Sequence, residues 1–138
     1  KAVAAMKAAL EAQGAHSKLL GPTSAPVKTA GGATLAVDAS MEGLPSVAFD
    51  AVFIPGGAAS VKALSGDGVA LHYVLEAYKH LKAISFSGEA KELVTLLHLD
   101  LDAGLLEVAD SASFKTFFDA IAQHRVWDRE PKAKAIPA

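Results

Sequence analysis

The stretch that most constrains this chain is Phe49-Asp50-Ala51-Val52-Phe53-Ile54-Pro55-Gly56-Gly57. Ala51 to Ile54 is an unbroken apolar run rich in β-branched and aromatic residues, with no polar alternation. That pattern predicts a parallel strand covered on both faces. Pro55 has no N–H for a ladder, and the glycines permit unusual backbone angles, so the strand must stop there. A short helical turn over Ser60–Leu64 is expected next. A strand that ends in Pro-Gly-Gly and opens into a helix presents backbone N–H groups at the carboxyl edge of a sheet, where open α/β folds place their sites.

The remaining segments fit the same plan. Lys1–Gln13 reads as an alanine-rich helix with Val3, Met6 and Leu10 on one stripe and Gly14 as its stop. Ala15–Leu20 reads as a short strand. Val27–Ala30 and Ala33–Val37 read as a hairpin joined by Gly31-Gly32, and Asp38–Ser46 as loop. Asp67 caps the clearest helix, expected to run to Leu81, whose apolar stripe holds Val69, Ala70, Tyr73, Val74, Ala77, Tyr78 and Leu81. A buried strand over Lys82–Phe86, a helix over Ala90–Leu97 and a last strand over Leu105–Val108 follow. Asp110 and Ser111 then open an amphipathic helix carrying Phe114, Phe117, Phe118 and Ile121.

Strands alternating with helices predict an α/β fold: a flavodoxin-like three-layer sandwich with a mostly parallel sheet, occupying residues 1–125. Residues 126–138, with Pro131 and Pro137, are expected to form an extended, docked tail. A helix at the start of such a fold calls for a preceding strand. In the order 2-1-3-4-5 its loss would leave a gap of roughly 10 Å, twice the strand spacing. The first strand is therefore expected to be missing from this chain, and an upstream segment is expected.

Composition narrows the function. The 138 residues carry a net charge of −2 and only two arginines, Arg125 and Arg129, which argues against a nucleic-acid partner. No apolar run approaches membrane-spanning length. Without cysteine, a thiol nucleophile and a cysteine-bound metal are excluded.

Two strand ends are candidate sites. At Pro55, Gly56 and Gly57, exposed amides before a helix suit an anion or oxyanion. At Ser85, Phe86, Ser87, Gly88 and Glu89, a strand turns into a helix as a nucleophile elbow does, but the Gly-x-Ser-x-Gly spacing is missing. A hydrolase-like serine competes there with Ser87 simply capping the next helix, and capping is favoured. His72, Glu76 and His80 share one helical face at metal-ligand spacing, but that face lies opposite the apolar stripe and reads as solvated. His124-Arg125-Val126-Trp127-Asp128-Arg129 reads as cation–π docking of the tail. Asp100, Asp102 and Glu107 form a sparse acidic loop patch without calcium-loop spacing. No nucleophile, base and orienter come together.

The order of segments resembles the class I glutamine amidotransferase-like superfamily, in its intracellular-protease and glyoxalase branch. Pro55-Gly56-Gly57 matches that superfamily's oxyanion-side turn, and Ser85-Phe86-Ser87-Gly88 puts Phe86 where its nucleophilic cysteine stands. The resemblance thus implies a degenerate member with no catalytic residue. A narrower resemblance covers nearly the whole chain. Pro45-Ser46-Val47 with Asp50-Ala51-Val52, Leu75 to Lys82, His124 to Trp127 and the closing Ile136-Pro137-Ala138 are similar to the C-terminal domain of large-subunit catalases, hydroperoxidase II type. That resemblance implies a parent that dismutates hydrogen peroxide with haem in its core, and partners in the catalase core domain and neighbouring subunits of a homotetramer. It also implies a role in stability and assembly. For the isolated domain the superfamily adds a chaperone-like holding activity toward unfolded client proteins. No cofactor is expected in this chain itself: Tyr73 and Tyr78 both lack the arginine four residues earlier that an axial haem tyrosine would have. An independent amidotransferase-like hydrolase or glyoxalase-type enzyme, or a small-anion binding module, stands as the alternative.

Overall fold

The computed structural model describes residues 1–138, which divide into two compact units, Lys1–Pro45 and Ser46–Ala138.

In the first unit, helix α1 (Ala2–Ala12) buries Met6 and ends as expected at Gly14, whose φ of 76° closes the last turn. Gly14 N–H bonds to Glu11 O and Ala15 N–H to Leu10 O, the pair of bonds that satisfies the final carbonyls of a helix. Strand β1 is shorter than expected, only Leu20–Gly21 within the Ala15–Leu20 stretch and just past it. The hairpin forms from β2 (Val27–Lys28) and β3 (Thr34–Leu35), antiparallel, with Gly32 at φ 82° in its turn. The segment read as loop contains β4 (Ala39–Ser40), parallel to β1. Asp38 explains this pairing: its carboxylate accepts the Leu19 N–H at 2.6 Å and its own N–H reaches Leu19 O at 2.8 Å. A polar side chain thus sets a register that no hydrophobic pattern announces.

The second unit opens with a 3-10 turn, Ser46–Ala48, and strand β5 (Ala51–Ile54). Helices α2 (Ala58–Ser65) and α3 (Gly68–Lys79) lead to β6 (Ala83–Phe86), and α4 (Lys91–Leu96) leads to β7 (Leu105–Glu107). The three strands are parallel in the order β5-β6-β7, with Phe53 opposite Ser85 and Ser85 opposite Leu106. β5, β6 and β7 therefore alternate with helices as expected, but β1 and β4 pair in a separate two-stranded sheet with a hairpin, not a helix, between them. The strand covered on both faces is β6, all four residues of which are buried. β5 and β7 are the edges, and Ala51, Val52 and Phe53 of β5 are only half-buried.

The core of this unit gathers Ile54, Val61, Val74, Tyr78, Ile84, Phe86, Leu93 and Leu105. Burying each large side chain contributes about 1.5–3 kcal/mol. Asp67 caps α3 through its carboxylate, as expected, accepting from the Val69 and Ala70 amides. Leu81 is not in that helix. It stands just past it at φ 62°, while Lys82 N–H returns to Ala77 O and Leu81 N–H to Tyr78 O. This is the helix stop that glycine usually supplies, made here by a buried leucine. Helix α5 (Ser111–Ala122) starts with a capping box between Asp110 and Ser113 and buries Phe117.

The C-terminal segment differs from expectation. Residues 126–138 are not extended: Trp127–Arg129 forms a 3-10 turn that runs into α6 (Glu130–Ala133). Pro131 sits in the first turn of α6, where a missing N–H costs nothing, so the proline starts a helix instead of breaking one.

Candidate functional site

The carboxyl edge of the three-stranded sheet brings the two predicted strand ends together. After β5 come Pro55, Gly56 and Gly57; after β6 come Ser87, Gly88 and Glu89. The turns touch closely enough that a Cβ on Gly56 would lie 2.7 Å from Ser87 O and 2.9 Å from Glu89 Oε2. Gly57, at φ 113°, and Gly88, at φ 52°, take backbone angles that side chains disfavour.

The amides expected to be open are engaged from within the chain. Gly56 N–H donates to Ser87 Oγ at 3.0 Å, and Gly57 N–H donates to the Glu89 carboxylate at 2.8 Å. Ser87 therefore does not cap the helix that follows it; its hydroxyl faces back to the neighbouring turn. Glu89 instead serves α2, whose N-cap is Gly57 and whose own residues supply no capping side chain. An acidic group at a helix start is favourable, and the Gly57 bond holds the Glu89 carboxyl below its ordinary range.

The other elbow residues face the interior. Phe86 is fully buried in the core cluster. Ser85 is equally sealed, with a hydroxyl that meets no hydrogen-bond partner. An open depression of about 770 Å³ lies beside the turns, lined by Gly88, Glu89, Lys91, Glu92, Thr95 and Leu96, and neither serine borders it. A nucleophile needs both exposure and a base; Ser85 has no exposure and Ser87 is bonded to an amide. His72 and Glu76 come within 3.6 Å of each other on an exposed turn of α3, and no group of three or more His, Asp or Glu side chains is arranged to hold a metal.

The most heavily bonded side chain lies elsewhere. Arg129 is 2% exposed and grips Asp102 with two bonds, Nε–Oδ2 at 2.8 Å and a second to Oδ1 at 2.9 Å. Its remaining nitrogen donates to Lys82 O at 2.8 Å and Tyr78 O at 3.4 Å, and the guanidinium stacks 4.2 Å over the Tyr78 ring. Arg125 donates to His80 O and Val126 N–H to Leu81 O. The carbonyl end of α3, the negative end of its dipole, is thus closed by both arginines of the chain. Burial pushes the Asp102 carboxyl up, but Arg129 and the Gly104 N–H outweigh it and hold the group below its usual range. Gly104 is required because a Cβ there would collide with Val126.

Sequence reading named Asp102 and Arg129 in separate clusters and did not join them. The cation–π docking expected of the 124–129 cluster is present, made by Arg129 on the Tyr78 ring, while Trp127 is 63% exposed. The available signal was arginine scarcity: a chain with two arginines, both near one end, invites the question of which carbonyls they cap.

Fold and site together define a mixed α/β chain with small parallel sheets, in which two strand-end turns are tied to each other and the C-terminal segment is clamped by a partly buried ion pair. Residues 1–131 match the family model for the C-terminal domain found in long catalases, and the chain belongs to that family. It is 48% identical over 137 residues to Catalase HPII of Pseudomonas aeruginosa, covering 99% of this chain and 19% of that protein. It is 52% identical over 130 residues to Catalase HPII of Pseudomonas putida, covering 94% and 18%. Over 131 residues it is 43% identical to Catalase-B of Dictyostelium discoideum, covering 94% and 19%. The chain spans about a fifth of the length of these curated relatives.

Proposed function

We propose that this chain is the non-catalytic C-terminal module of a haem catalase, a protein that dismutates hydrogen peroxide to water and oxygen in a separate core domain. The observation that carries the reading is the elbow: Phe86 is buried at the nucleophile position, and Ser87 and Glu89 occupy the neighbouring amides. The Pro55-Gly56-Gly57 turn then binds an internal carboxylate in place of an external anion. The module acts in stability and assembly, against the core domain and neighbouring subunits of a homotetramer. Its three-stranded sheet belongs to a flavodoxin-like sandwich, with residues 126–138 as a docked tail. In isolation it holds unfolded client proteins through exposed apolar side chains such as Val47, Leu96, Leu101 and Trp127.

The test uses the purified chain in one assay, with thermal aggregation of an unrelated enzyme followed by light scattering and peroxide followed in the same tubes. Protection at near-stoichiometric ratios without peroxide loss is the expected result. Peroxide consumption by the haem-free chain would overturn the non-catalytic reading, and absence of protection would overturn the holding role alone.

A further inference from the structure

We draw no further inference here: the strongest candidate, the surface patch of exposed Leu101 and Trp127 flanking the Asp102–Arg129 ion pair along the chain, carries nothing because no feature of the structure shows what covers it.

Discussion

Neutralising one member of the Asp102–Arg129 pair tests whether the C-terminal segment is held by charge or by packing. The Arg129 side chain is fully buried, whereas that of Asp102 is about a quarter exposed. Asp102→Asn keeps one oxygen for the Gly104 amide but removes the charge and turns the second acceptor into an NH2 donor facing Arg129, which strands a buried guanidinium. Stranding such a charge costs about 3–5 kcal/mol, and the partial exposure of the pair puts the loss near the lower end. Arg129→Met leaves a carboxylate that water can reach, but it removes two charge-assisted bonds, the cap on Lys82 O and the stacking on Tyr78. Taken at the lower end of each range, the sum is about 4 kcal/mol. The double variant buries no charge, so its loss should fall short of the sum by about 2 kcal/mol. Urea unfolding of the four proteins gives the cycle, and hydrogen exchange at the Val126 amide reports undocking locally. If the two losses add to within about 0.5 kcal/mol, the pair is not coupled and the reasoning fails.

Gly56→Ala should cost about 1–3 kcal/mol, because the new Cβ presses on the Ser87 carbonyl, which as backbone cannot swing aside as the Glu89 side chain can; a melting temperature unchanged from the parent would refute the tight crossing of the two turns. His124 is exposed at φ 65°, so His124→Gly should stabilise by roughly 0.5–1 kcal/mol in denaturant unfolding, whereas Leu81→Gly, which relieves the same kind of strain but empties a buried site, should destabilise. Glu89, Asp102 and Asp110 all have lowered folded-state pKa values, so below their unfolded values of 4.5, 3.8 and 3.8 the unfolded chain binds more protons. Their stabilisation is present above that range and is lost as pH falls through the folded values; Glu89→Gln should flatten the acid limb of a stability profile, and an unchanged limb would count against the Gly57 bond. At the alkaline end, burial and then Glu76 push Tyr73 up to about 12, so stability should fall once pH passes 10.0, and Tyr73→Phe should shift that limb upward in thermal melts.

Much of this molecule is written locally. The strand at Ala51–Ile54, the Asp67 and Asp110 caps, the Gly14 stop and the Gly31-Gly32 turn each depend on a residue and its near neighbours, so period and punctuation are enough to find them. The family was legible too, because the motifs around Pro45, Leu75 and His124 are contiguous runs. Other features were decided only when distant parts met. β4 pairs with β1 where Asp38 reaches Leu19, and the helix that holds Pro131 in its first turn follows directly on Arg129, which is anchored to Asp102. Whether the Gly56 and Gly57 amides were open or filled depended on Ser87 and Glu89, more than thirty positions away. Hydrophobic periodicity records which face of an element is buried. It does not record which polar groups meet across elements, since a hydrogen bond or ion pair needs only one donor and one acceptor and leaves no repeat in the chain.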